Sequence, residues 1–359
     1  MPRTNCFKPL TAFAPVVAAA VAVVVSLSAC GGSMSASSPP ASSGGTVRVG
    51  IAYDIGGRGD KSFNDAAATG LERAKATLDI QAKELEAQKG ENPEDRYARL
   101  KLLCDAGYGL IIAVGTIYAG DPKTGPLARA VHDCPKVKFA IVDDVSVSAP
   151  NLANLTFAEE QGSFLVGAAA ALKSTTGHLG FIAGCKLDLL RKFQAGYVAG
   201  ARAIRPKITI DVSYLSTPTD ACSGFNDPAK GKKVAASMYK SGADVVFLAA
   251  GASGIGGFEA ALAAHRWSIG VDSDQYLTVR SDLRGTIITS MIKRVDVAVF
   301  DVIQNVSNGT FHSGTTMFDL KTNGVGYSTS GGKVDAFKTR LDDLKQQIIA
   351  GKITVPTVP

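Results

Sequence analysis

The sequence predicts an α/β protein of two lobes, each a parallel sheet flanked by helices, with a ligand cleft between them. Three observations carry this. Short apolar segments alternate with amphipathic helical ones from residue 47 onward, the pattern of βαβ units and parallel sheets. Two of those segments, Leu110-Ile111-Ile112-Ala113-Val114 and Val245-Val246-Phe247-Leu248-Ala249, contain no polar residue, as expected of strands covered on both faces. Finally, the 359-residue chain remains longer than one hydrophobic core usually accommodates after its N-terminal leader is set aside, so two lobes are expected.

Residues 1–29 read as that leader. Arg3 and Lys8 precede an apolar run at 12–27, too short for a membrane span. The run ends in Leu27-Ser28-Ala29-Cys30-Gly31, which resembles the bacterial lipobox and makes Cys30 a candidate lipidated N-terminus. The alternative is an ordinary secretory signal with an incidental cysteine. A lipidated cysteine would anchor the chain at the extracytoplasmic face of the cell membrane without spanning it. Residues 30–46, rich in Gly, Ser, Ala and Pro, have the composition of a flexible tether.

In the first lobe, strands are expected at 47–53, 109–114 and 137–142, with helices at 65–77, 93–105 and 124–132. The alternation pauses at 146–158, a Pro/Asn-rich stretch with a weaker strand, and restarts with a helix at 160–173. That pause marks the lobe boundary. Beyond it, strands are expected at 180–182, 208–214, 244–249, 268–271 and 286–289, and helices at 187–204, 228–241 and 258–265. The expected division assigns 47–158 and roughly 274–311 to the first lobe, and 159–273 and roughly 312–359 to the second.

Charge and cysteines narrow the class. The formal net charge is +6, part of it in the leader, and the basic residues are dispersed. Neither a nucleic-acid stripe nor an aromatic-interleaved basic motif is present. Of six cysteines, Cys6 and Cys30 belong to the leader and anchor. The even remainder in an exported chain suggests two disulfides, Cys104–Cys134 and Cys185–Cys222, against the alternative of four buried thiols. The cysteines lack metal-site spacing.

Ligands of open α/β sheets bind beyond the carboxyl ends of the strands, and several strand ends here are rich. The first strand runs into Asp54-Ile55-Gly56-Gly57-Arg58-Gly59-Asp60-Lys61-Ser62-Phe63-Asn64. Its glycines allow close backbone approach, but Asp54 and Asp60 argue against a phosphate. Ser62, Phe63 and Asn64 place an aromatic face and an amide at the helix start. Asp143 follows a further strand. The 251–257 stretch superficially resembles a dinucleotide loop, with tight strand–helix packing an equal explanation, and a Gly-Lys-Ser/Thr phosphate loop is absent. Asp272 suits a cis-diol, since a carboxylate accepts two hydroxyl hydrogen bonds, and Lys293 can donate to ring or hydroxyl oxygens. Nucleophile-elbow and zincin motifs are absent and the four histidines are scattered, which argues against an enzyme. The neighbouring acids Glu159 and Glu160 point different ways, a poor acid/base pair.

Together these motifs resemble the basic membrane protein lipoproteins, purine nucleoside-binding components of ABC transporters. The resemblance rests on Asp54-x-Gly-Gly-x-x-Asp60-x-Ser62-Phe63-Asn64, Gly162-Ser163-Phe164-Leu165-Val166-Gly167, Phe193-x-x-Gly196-Tyr197-x-x-Gly200, Gly270-Val271-Asp272-Ser273-Asp274-Gln275 and Thr289-Ser290-Met291-Ile292-Lys293, and it covers nearly all of 47–359. It implies a type I periplasmic-binding-protein fold with a nucleoside such as inosine, guanosine or adenosine in the interlobe cleft. By that resemblance Phe63 stacks on the purine, Asn64 and Asp143 bond its edge, and Phe193 forms the opposing wall. Asp272 and Lys293 hold the ribose hydroxyls and Gly251 offers backbone contact, with Asp54 and Ser62 completing the set. Gly184-Cys185-Lys186 departs from the family pattern near the second wall. The implied partners are a permease and its ATPase, with no cofactor, no nucleic acid and a monomeric chain. Two other readings stay open: the same fold binding a sugar or small signalling molecule, and a secreted nucleoside hydrolase.

Overall fold

The structure, a computed structural model, describes residues 46–88 and 90–359. The leader, the tether and Cys30 lie outside the described residues. No helix among the described residues is long and apolar enough to cross a membrane.

The first lobe begins with β1 (Val47–Ala52), α1 (Phe63–Thr77), β2 (Ile80–Leu85), α2 (Pro93–Asp105), β3 (Leu110–Val114), α3 (Pro126–Asp133), β4 (Lys138–Val142) and β5 (Leu152–Phe157). The second holds α4 (Glu159–Lys173), β6 (His178–Ala183), α5 (Asp188–Ile204), β7 (Thr209–Tyr214), α6 (Pro228–Lys240), β8 (Val245–Ala249), α7 (Ser253–Ala264), β9 (Trp267–Asp272), two single turns α8 (Gln275–Thr278) and α9 (Ser281–Arg284), and β10 (Ile287–Lys293). The chain then passes through α10 (Val295–Ser307), β11 (Gly314–Phe318), β12 (Val325–Tyr327) and α11 (Lys338–Ile349).

Two six-stranded sheets result, in the orders β11-β5-β4-β3-β1-β2 and β12-β10-β9-β8-β6-β7. All strand pairs are parallel except β10 with β12. Each central strand is covered by helices on both faces, which explains why Leu110 to Val114 are wholly inaccessible. Local chemistry sets the helix starts. Asn92 accepts from the Glu94 and Asp95 amides while Asp95 reaches back to the Asn92 amide, and Pro93 fits the first turn. Helices α4 and α5 cross at glycines: a Cβ at Gly167 would stand 2.1 Å from the Tyr197 carbonyl oxygen, and one at Gly200 1.9 Å from that of Phe164. The motifs holding these glycines are therefore packing devices.

The lobe boundaries differ from the expected ones. β10 pairs with β9 in the second sheet, so it does not return with residues 274–311 to the first lobe. Only α10, packed on α1, and the edge strand β11 return. β12 and α11 belong to the second lobe. The reason is continuity: β10 is a buried strand that pairs with β9 from Ile287 to Ile292 and so stays in that sheet. The chain thus crosses between lobes at three places, next to Ala158, Arg294 and the turn beyond Phe318. The crossings lie side by side, with the Ala158 amide donating to the Phe318 carbonyl (3.0 Å) and the Arg294 amide to that of Gly324 (2.8 Å).

Two disulfides are present among the described residues. Cys104–Cys134 joins the end of α2 to the residue after α3, with Cα atoms 6.4 Å apart. Cys185–Cys222 joins the turn after β6 to the segment after β7, with Cα atoms 5.1 Å apart.

Candidate functional site

Strand ends from both lobes converge on one pocket. The first lobe contributes Asp54 after β1, Gly115 and Thr116 after β3, and Asp143 after β4; the second contributes Gly251 after β8, Asp272 at the end of β9 and Lys293 at the end of β10. The hollow encloses about 580 Å³ of non-atom space, part of it open to solvent.

The turn at 54–64 is built around Asp60. Its Oδ1 accepts from the Ser62 (2.9 Å) and Asp65 (3.1 Å) amides, and its Oδ2 from the Asn64 amide (2.9 Å) and Asn64 Nδ2 (3.1 Å). The three backbone amides are free donors at the start of α1, so Asp60 closes that helix end. Burial pushes its carboxyl up to about 6 against the pull of those amides. Gly56 and Gly59, at φ of 101° and 96°, supply backbone that other residues rarely adopt. Asn64 borders the pocket, but its Oδ1 accepts from the Asp54 amide (2.9 Å) while its Nδ2 faces Asp60 and the Ile55 carbonyl. Its amide is engaged at both ends, which makes it a brace of the turn where a purine-edge contact was expected. Phe63, the first residue of α1, lines the pocket and is half-buried.

Lys293 is the electrostatic centre. It is buried, with Nζ 2.5 Å from Asp143 Oδ2 and 3.2 Å from Glu159 Oε1. Burial pulls its pKa down, but Asp143, Glu159 and Asp272 outweigh that and hold it above its ordinary value. Its ammonium also stands 5.2 Å from the Phe63 ring centroid and 5.6 Å from that of Phe193, within cation–π range. Burial raises the Asp143 carboxyl despite the adjacent ammonium. Its Oδ1 is buried and has no hydrogen-bond partner among the described residues. Burial likewise pushes Asp272 up to about 6 and Asp54 to about 7.

Asp143 and Asp272 stand on left-handed backbone, at φ of 73° and 63°. Such conformations persist only where the surroundings over-determine them, and they gather at binding sites. Asp272 Oδ2 accepts from Ser62 Oγ at 2.6 Å across the two lobes; Ser62 acts through that bond and is absent from the pocket lining. Phe193, expected as the opposing wall, lines the pocket but is only 3% exposed and packs on Phe247, ring centroids 6.5 Å apart. Gly251, at φ 55°, borders the pocket, whereas 253–257 form the first turns of α7. There a Cβ on Gly256 would lie 1.8 Å from the Pro228 carbonyl oxygen and one on Gly257 2.4 Å from the Leu248 side chain, so tight packing, rather than a dinucleotide loop, explains these two glycines.

Sequence reasoning missed several residues, Glu159 and Phe225 among them, along with Leu187, Leu189 and Leu190 at the start of α5. Glu159 follows β5 and pairs with Lys293; applying the strand-end rule to β5 would have found it. Phe225 lines the pocket from a short 3-10 turn that gives no periodic signal.

The comparisons with known proteins agree with this geometry. The family model described as "ABC transporter substrate-binding protein PnrA-like" matches residues 47–358. The ABC transporter nucleoside-binding protein BmpA of Lactococcus lactis is 33% identical over 333 residues, covering 87% of this chain and 89% of that protein. Basic membrane protein A2 of Borrelia garinii is 32% identical, covering 83% and 85%. Among solved structures, an ABC transporter solute-binding protein from Aeropyrum pernix superposes with a TM-score of 0.74 at 28% identity, covering 87% of this chain and 93% of that one. A two-lobe α/β fold, a pocket built from the strand ends of both lobes and these relatives converge on one assignment: the chain belongs to the Bmp family of PnrA-like ABC transporter substrate-binding proteins.

Proposed function

We propose that this protein binds purine nucleosides in the interlobe pocket and delivers them to an ABC permease and its ATPase, anchored to the membrane through a lipidated Cys30. The observation that carries the ligand assignment is the pairing of the half-buried Phe63 ring with the unpartnered, buried Asp143 Oδ1 in one pocket. A flat aromatic solute carrying a neutral hydrogen-bond donor satisfies both. Asp272 has acceptor capacity left for ribose hydroxyls, because a carboxylate offers about four lone-pair sites and Ser62 takes one of them. The charge balance supports a nucleoside over a nucleotide. Asp54, Asp60, Asp143 and Asp272 all line the pocket, and Lys293 is the one cation among its described lining residues. Lys293 is already paired, so a phosphate would meet an acidic surface. Binding and release make no covalent bond, and the lobes close on the ligand by bending at the three adjacent crossings.

Isothermal titration of the purified protein with inosine, guanosine, adenosine and inosine 5′-monophosphate tests the reading. Binding of nucleosides with much weaker binding of the monophosphate is expected. No heat with any nucleoside, alongside tight binding of a sugar, would overturn the ligand assignment, and release of free base on long incubation would overturn the transport role. Detergent-phase partitioning of the wild-type protein and a Cys30→Ala variant checks the anchor: only the wild type should enter the detergent phase.

A further inference from the structure

We propose that the Cys185–Cys222 disulfide is a positioning element of the ligand pocket, fastening the segment that carries Phe225 against the end of β6 so that its ring is held as a pocket wall. The inference rests on the reading of this pocket as the nucleoside site.

Four observations meet here. Cys185 is wholly buried and lies two residues past β6, while Cys222, 5% exposed, lies three residues before Phe225. The Phe225 amide donates to the Cys222 carbonyl at 3.2 Å. Second, the turn is built on unfavourable backbone: Ala221 and Cys222 are consecutive non-glycine residues at φ of 50° and 54°. Such a pair needs outside support to persist, and the disulfide acts at its second member. Third, the Phe225 ring rests directly on the backbone beside the disulfide. A Cβ at Gly184 would lie 2.2 Å from the ring, and one at Gly224 2.2 Å from the Gly184 carbonyl oxygen. Ser216 Oγ bridges the two strands of this contact, donating to the Gly184 carbonyl (2.7 Å) and accepting from the Gly224 amide (3.0 Å). Fourth, the same segment forms the lip of the cleft, where Asp220, Ala221 and Asn226 border a second hollow opposite Ile55, Glu91 and Arg96 of the first lobe. Neither disulfide lines a hollow itself, but Cys222 lies between Ala221 and Ser223, which border the second hollow, whereas no chain neighbour of Cys104 or Cys134 borders either one.

The physical effect is preorganisation. A wall already held in place loses less freedom when the ligand arrives. Removing the staple should leave the fold intact and let the Phe225 segment sample other arrangements in the empty protein.

A four-protein cycle tests this: wild type, Cys185→Ala/Cys222→Ala, Phe225→Leu and the triple variant, each titrated with inosine and examined by hydrogen exchange over 217–227. The disulfide variant should bind inosine roughly 3- to 10-fold more weakly, mainly through faster dissociation, and lose amide protection at 224–227. Phe225→Leu should cost less affinity without the disulfide than with it, because the staple acts through that ring. Cys104→Ala/Cys134→Ala is the control, expected to lower the melting temperature and leave inosine affinity within about twofold. A Cys185→Val/Cys222→Ala pair, which refills the buried volume, repeats the test should the first variant fail to fold. Unchanged affinity and protection in the disulfide variant, or fully additive costs, would overturn the proposal. Should the wild type give no heat with inosine, the nucleoside reading fails and the exchange arm decides alone: unchanged protection refutes the staple, and lost protection upholds it.

Discussion

Replacing Lys293 with methionine keeps most of the side-chain volume and removes the charge from the centre of the pocket. Lys293, Asp143 and Glu159 have side chains only 2%, 3% and 1% exposed, so the variant leaves two carboxylates buried without their shared cation, Glu159 keeping only the more distant Lys192 at 3.6 Å. Breaking a buried pair in this way costs about 3–5 kcal/mol. For a chain of this size that is a fall in melting temperature of roughly 5–8 °C. The pH dependence is the sharper readout. Asp143 is already raised by burial, and losing the ammonium raises it further above its unfolded value of about 3.9. The native state then keeps a proton that the unfolded chain releases, so stability declines as pH rises above about 4 and levels off only beyond the native pKa. Urea denaturation at pH 4.5 and 7.5 should show a gap between wild type and variant that is larger at pH 7.5. Adding Asp143→Asn should recover part of it by removing one of the stranded charges. A gap below about 1 kcal/mol at pH 7.5, or one no larger there than at pH 4.5, would refute the view that Lys293 neutralises the pocket carboxylates.

Two further outcomes are expected. Phe63→Ala should weaken inosine binding by about 1–3 kcal/mol in isothermal titration, the worth of one aromatic–base stack; unchanged affinity would show the ring to be core only. Inosine affinity should fall as pH drops from 7.5 to 5, because Asp272, pushed up to about 6 by burial, accepts ligand hydroxyls best when ionised. Titrations near pH 6 in buffers of different ionisation enthalpy should then show proton release on binding, and a flat pH profile would count against Asp272 as a ligand acceptor.

The pocket was legible wherever function sits at a strand end. Asp54, Asp143, Gly251, Asp272 and Lys293 each follow or close an apolar strand, and all of them line the hollow. What escaped the sequence depends on contacts that local patterns do not encode. Lys293 and Asp143 are 150 residues apart and meet because β10 stays in the second sheet until its last residue. The expectation that returned 274–311 to the first lobe missed this, since a parallel strand gives no sign of which sheet it joins. β11 and β12 are short edge strands, the first largely exposed, and carry too few apolar residues to announce themselves. The glycines at 254, 256 and 257 read as a loop because glycine weakens a helical pattern, yet the close approach of the α6 backbone requires Gly256 and the Leu248 side chain crowds Gly257. Asn64 was legible as important, though its hydrogen bonds go to the turn itself.

The left-handed backbone under Asp143 and Asp272 restricts how this pocket can be re-engineered or diverge. Positive φ is tolerated by glycine, asparagine and aspartate, and strongly disfavours β-branched or bulky residues. A change of ligand therefore cannot proceed by placing a valine, isoleucine or phenylalanine at either post without rebuilding the strand end beneath it. At those two positions the practical alphabet is acceptor, amide or nothing. New specificity has to be written into the walls instead, at residues such as Phe63 and Phe225, whose own backbone stays out of the left-handed region.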